Sequence, residues 1–107
     1  MKAKVRRRYL ALKIDSDHKF GSKDFRDAVW EAILRLYGEY GASKTNLTLI
    51  DYNMEEGFAV VRVAHTEIEK VRAAIASITE IASKPAAVHV LKISGTLKVL
   101  YRKMLAH

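Results

Sequence analysis

Apolar side chains recur along this chain at two spacings, and the order in which the spacings follow one another limits the folds open to it. In Arg8 to Ile14, RYLALKI, the residues Leu10, Leu12 and Ile14 alternate with Tyr9, Ala11 and Lys13, the period of a half-buried strand. The spacing then lengthens. Phe25, Ala28, Val29, Ala32, Ile33, Leu36 and Tyr37 recur as one face of a helix, with Lys23, Arg26, Asp27, Glu31 and Arg35 largely opposite. Ser22 is placed to cap that helix, and Gly38 or Gly41 to end it. Asn46 to Asn53, NLTLIDYN, has the β-branched, apolar composition of a second strand. Asn53 to Gly57 reads as a hairpin connection into a third strand, Glu56 to Val63.

A second helix is expected from Thr66, which with Glu69 forms a capping-box pattern. Its apolar face is set by Ile68, Val71, Ala74, Ile75, Ile78 and Ala82, and Lys84 with Pro85 stop it. Val88 to Ile93 is the fourth strand. After Ser94-Gly95-Thr96, Leu97, Leu100, Tyr101 and Met104 form the stripe of a short basic helix. The order βαββαβ plus a helix predicts an α+β fold, a ferredoxin-like or RNA-recognition-like sandwich. Its single four-stranded antiparallel sheet has strand order 4-1-3-2, with two helices on one face. A length of 107 residues suits one domain, residues 1–107, with a basic arm over 1–7 and the amphipathic helix over 96–107.

Charge is unevenly spread. The formal net charge is +7, yet residues 15–80 hold 8 basic against 12 acidic groups, so every acid lies in the middle. The two ends are acid-free: Lys2, Lys4, Arg6, Arg7, Arg8 and Lys13 at one, Lys84, Lys92, Lys98, Arg102 and Lys103 at the other. Segregated cations mark a polyanion-facing surface, because each Lys or Arg beside a phosphate releases condensed counterions. With strands one and four as neighbours, both ends reach one edge of one sheet. The candidate RNA-binding residues are therefore Lys2, Lys4, Arg6, Arg7, Arg8, Lys98, Arg102 and Lys103.

The third strand, EGFAVVRV, is a partial copy of the octapeptide K/R-G-F/Y-G/A-F-V-x-F/Y with which RNA-recognition sheets stack bases. Gly57, Phe58, Ala59 and Val61 match, whereas Glu56 stands in place of the leading cation and Val60 in place of the second aromatic. If Ala59, Val61 and Val63 face the helices, Phe58, Val60 and Arg62 share the other face with Tyr9 and Lys13. Tyr9, Phe58 and Val60 then form an apolar strip that the C-terminal helix or another subunit is expected to cover. Trp30 and Leu34 widen the first helix's apolar face and serve equally as core or as a protein interface.

Catalysis finds little support. There are no cysteines, which excludes disulfides, thiolate metal sites and cysteine nucleophiles. Asp15, Asp17 and His18 share one loop, where such residues ordinarily serve as turn and cap groups. No phosphate-loop or dinucleotide motif occurs, and no side chain is assigned a catalytic or metal-binding role. No apolar run approaches the roughly 18 residues of a membrane span, so no membrane partner and a cytoplasmic location are expected.

Taken together, RYLALKI, the helix containing Trp30-Glu31, GASKTNLTLIDYN at Gly41 to Asn53, GFAVVRV at Gly57 to Val63 and VLKISGTLK at Val90 to Lys98 resemble the archaeal ribonuclease P protein component 2 family. The resemblance spans nearly the whole chain. It implies a non-catalytic, RNA-binding subunit of an endoribonuclease ribonucleoprotein that removes the 5′ leader from precursor tRNA. It further implies contact with the catalytic domain of the ribonuclease P RNA, and magnesium at the RNA active site with no cofactor on the protein. The protein partner it implies is ribonuclease P protein component 3, of barrel fold, with two copies of each in the assembly. The chain stops soon after SGTLK, so a longer basic tail, where relatives have one, is absent or shortened. The alternative is a ferredoxin-like module for protein interaction or small-ligand regulation, without an RNA role.

Overall fold

The structure, a computed structural model, describes residues 6–105. Strand β1 (Arg7–Asp15) is followed by helix α1 (Ser22–Lys44), strands β2 (Thr48–Asn53) and β3 (Phe58–Ala64), and a single 3-10 turn, His65–Glu67. Helix α2 (Ile68–Ala76), two short strands β4 (Glu80–Ile81) and β5 (Lys84–Pro85), strand β6 (Ala87–Ser94) and helix α3 (Leu97–Leu105) complete the described chain. The main sheet is antiparallel in the order β2-β3-β1-β6, which is the expected 4-1-3-2 arrangement.

Alternation along β1 and β3 divides the side chains between two faces. Leu10, Leu12, Ile14, Ala59, Val61 and Val63 meet Phe25, Val29, Ala32 and Ile33 of α1 and Val71, Ala74 and Ile75 of α2 in the main core. Ala11 and Val60 point the other way and are sealed by Leu100 of α3, all three with no exposed surface. Tyr9, Ile50, Phe58, Leu97, Tyr101 and Met104 pack around them. The sheet is thus the middle of three layers.

Both edge strands carry a bulge. On β6 the register slips beside Ala11 and Leu12, leaving Leu91 extra, and on β2 it slips between Leu49 and Asp51. The second slip lets Ile50 join the cluster under α3 while its neighbour Asp51 bonds to that same helix.

Four local expectations are corrected. Helix α2 stops at Ala76, six residues short of Ala82. Its end is pinned where the Ser77 hydroxyl donates to the Ala74 carbonyl at 2.6 Å and accepts from Arg35 at 3.2 Å, side-chain bonds that compete with another helical turn. Ile78 and Ile81 still reach the core, through the β4–β5 hairpin closed by the Ala86 amide on the Thr79 carbonyl at 3.0 Å. At its turn Ala82 and Ser83 both take positive φ, 50° and 68°, the primed geometry that suits a tight hairpin.

The capping box does not form. The Thr66 hydroxyl instead meets Glu67 Oε2 at 3.1 Å, because a 3-10 turn occupies the place of the helix's first residues. Ser22 lies within α1, and Gly21 takes the cap position without a side-chain bond. Finally, α1 neither ends at Gly38 nor at Gly41. It breaks at Gly38 (φ 73°, ψ 178°), which glycine permits, and resumes to Lys44. Gly41 is required there, since a Cβ on it would stand 2.7 Å from Tyr37 Cβ.

Candidate nucleic-acid interface

The face on which RNA-recognition sheets stack bases is closed here. Phe58, Val60 and Tyr9 lie under α3, and Tyr101 fixes the helix by donating a 2.8 Å hydrogen bond to Asp51 Oδ2. Burial and that carboxylate push the Tyr101 phenol up to about 12, so it stays neutral and donating through the physiological range. Val60 fills the place of an aromatic because Leu100 stands over it.

The cations converge at one end of the sheet. Arg7 pairs with Ala64, the Arg6 carbonyl accepts from the His65 amide at 2.8 Å, and the Thr45 carbonyl accepts from the Ala64 amide at 2.8 Å. The start of β1, the end of α1 and the entry to α2 therefore meet, carrying Arg6, Arg7, Arg8, Lys44 and Lys70. Arg6 and Arg7 are exposed, while Arg8 is half-buried and its guanidinium donates to the Arg7 carbonyl at 3.0 Å. A Cβ on Gly95 would lie 3.6 Å from that guanidinium, so the β6–α3 turn belongs to the same end. Lys98 and Arg102 are exposed on α3, and Lys103 reaches the Ile93 carbonyl at 3.4 Å. Lys2 and Lys4 lie outside the described residues.

Because β1 is an interior strand, the convergence is at a sheet end and over α3, not along an edge. The other end of β1 is acidic. There the Ile14 amide donates to Gly57 at 2.7 Å, bringing up Glu55 and Glu56, and Asp15 faces His89 at 3.9 Å. The Asp15–His18 loop is tied by Ser16, whose hydroxyl donates to Pro85 at 2.7 Å and accepts from His18 N at 3.1 Å. A hollow of ≈ 590 Å³ between α1 and the β4–β5 hairpin is lined by Asp24, Asp27, Glu31 and Glu80.

Ion pairing leaves the cationic end largely alone, Lys70 with Glu67 excepted. Among the described residues the pairs are Lys19–Glu55, Lys23–Asp27, Lys70–Glu67 and His89–Asp15. None of these involves Arg6, Arg7, Arg8, Lys98, Arg102 or Lys103, whose charge the described residues leave uncompensated. Hydrogen bonding to Lys23 holds the Asp27 carboxyl below its ordinary range and lifts the lysine. Arg62 is a further cation unpaired among them: it sits between Tyr9 and Thr48, and its Nε is buried with no hydrogen-bond partner. Its outward direction was legible from alternation, but its register beside Arg7 needed the strand pairing. Trp30 and Leu34 pack partly buried on the main core, and Trp30 with Leu47 lines a hollow of ≈ 280 Å³. No group of three metal-ligating side chains occurs among the described residues, and no helix there is long and apolar enough to cross a membrane.

These features define a small basic ferredoxin-like protein whose second sheet face is sealed by its own helix α3 and whose Arg6, Arg7 and Arg8 gather at one end without carboxylate partners among the described residues. Residues 8–105 match the model of the Rpp14/Pop5 family, and the chain belongs to that family. It is 31% identical to ribonuclease P protein component 2 of Pyrococcus furiosus over 94% of this chain and 84% of that protein. It is 36% identical to ribonuclease P protein component 2 of Halorubrum lacusprofundi over 85% of this chain and 60% of that longer relative. The fold is shared with a chain in the cryo-EM structure of yeast ribonuclease MRP, at a TM-score of 0.73 and 18% identity, covering 98% of this chain and 92% of that one.

Proposed function

We propose that the protein is an RNA-binding subunit of ribonuclease P that supports the catalytic RNA in removing the 5′ leader from precursor tRNA. The observation that carries this reading is the end of the sheet where Arg6, Arg7 and Arg8 stand without carboxylate partners among the described residues, in a member of the Rpp14/Pop5 family. Where RNA helices meet, phosphates crowd and repel. Fixed cations placed among them lower the cost of the compact, active RNA conformation.

The protein supplies charge and shape, and the RNA supplies the chemistry. Magnesium belongs to the RNA active site in this reading. The Trp30 hollow, on the opposite side of the sheet from α3, suits the barrel-fold protein component 3, two copies of each making the assembly. The site of action is the cytoplasm. RNA affinity measured against salt tests the proposal: replacing Arg7 and Arg8 by Gln should weaken binding and flatten the slope by about 0.7 to 0.9 for each phosphate no longer neutralised. An unchanged slope would remove these residues from the interface.

A further inference from the structure

Closure of the sheet face leaves open where this chain can engage an unpaired base, and the kinked end of α1 offers an answer. Tyr40 is 76% exposed and is the one aromatic among the large hydrophobic side chains left open to solvent in the described residues. Lys44 Nζ lies over its ring, 4.5 Å from the centroid, while most of the side chain stays open to solvent. One turn earlier Tyr37 has Lys70 Nζ at 5.8 Å from its centroid. The break at Gly38 separates this last segment from the rest of α1, Ala42 anchors it in the core, and the Ser43 hydroxyl holds it by donating to the Tyr40 carbonyl at 2.8 Å.

The segment ends at Thr45, whose carbonyl is bonded to Ala64 beside Arg7, so the exposed ring belongs to the cationic end of the molecule. An aromatic ring cradled by a cation, next to phosphate-seeking charge, is the chemistry of a nucleotide: the base stacks on the open face and the phosphate meets the lysine. A protein-docking tyrosine would be expected within an apolar patch, whereas the group that stands over this ring is the Lys44 ammonium.

We propose that Tyr40, backed by Lys44, is a stacking platform for an unpaired nucleobase of bound RNA. The proposal rests on the RNA-binding reading above and adds a base contact to its phosphate contacts. Stacking differs from phosphate contact in one measurable respect, since it releases no condensed counterions and leaves the salt slope alone.

The test uses the full chain, an unstructured oligonucleotide of RNA carrying 2-aminopurine, and an RNA duplex with the same number of phosphates. Tyr40→Leu should bind the single strand about fivefold to a hundredfold more weakly with an unchanged salt slope, and abolish the quenching of 2-aminopurine fluorescence that reports stacking. Tyr40→Phe should restore both, and duplex affinity should not move. Single-strand affinity unchanged in Tyr40→Leu, or an equal weakening on the duplex, overturns the proposal while leaving RNA binding intact. Failure of the unsubstituted protein to bind either RNA overturns the RNA-binding reading itself, and the stacking site with it.

Discussion

The hydroxyl of Tyr101, on the terminal helix, donates to the carboxylate of Asp51, on the far edge strand, across 2.8 Å. Asp51 can reach it because the β2 bulge turns both Ile50 and Asp51 toward α3. One bond thus ties the helix that closes the sheet face to the strand farthest from its own connection. Tyr101→Phe should cost roughly 0.5–1.5 kcal/mol, toward the lower figure because the pair is partly exposed, as read from denaturant midpoints.

The same bond carries a pH signature. Burial, then Asp51, raises the Tyr101 phenol from 10.0 to about 12 in the folded protein, so folding stabilises the protonated form. The contribution is fully present below pH 10 and is lost as pH rises toward about 12. In Tyr101→Phe, stability should fall less steeply over that window than in the unsubstituted chain. Identical slopes would place the titration elsewhere.

Leu100 has no exposed surface and stands over Ala11 and Val60. Leu100→Ala should destabilise the fold by about 2–5 kcal/mol and loosen the packing of Tyr9 and Phe58, visible as a change in near-ultraviolet circular dichroism. A cost below about 1 kcal/mol would mean that α3 lies only loosely on the sheet.

Ala82 and Ser83 hold positive φ without the residues that favour it. Ala82→Asn with Ser83→Gly supplies the Asn-Gly pair that such a turn prefers and, by relieving left-handed backbone that costs a residue with a Cβ roughly 1–2 kcal/mol, should raise stability by about 1 kcal/mol as read from denaturant midpoints. This hairpin was hidden in the sequence for a physical reason. Ile78 and Ala82 continue the spacing of Ala74 and Ile75, so periodicity alone extends the helix, whereas Ser77 and two positive φ values carry Ile78 and Ile81 into the core by another route and leave Ala82 exposed at the turn. The strand order, the two helices and the stripe of α3 were legible because each rests on a spacing repeated several times. The bulges that aim Asp51 and Leu91 were not, since an extra residue has meaning only once two strands are in register.

Arg62 was visible as an outward cation but not as a neighbour of Arg7, two places along the facing strand. Its Nε is enclosed without an acceptor, and no pair among the described residues neutralises it. Arg62→Met keeps the apolar stem and removes the charge. It should lower RNA affinity and reduce the salt slope by the equivalent of about one phosphate while leaving the melting temperature nearly unchanged, and Arg62→Lys should recover most of the slope.

The role in RNA catalysis is tested most directly by reconstitution. A ribonuclease P RNA is combined with protein component 3, with or without this protein, and cleavage of precursor tRNA is followed at limiting magnesium and moderate salt. Addition of the unsubstituted chain should accelerate release of the 5′ leader, and the chain lacking the Arg7 and Arg8 charges should accelerate it less. A cleavage rate that is the same with and without the protein, at every magnesium and salt concentration, would contradict the account.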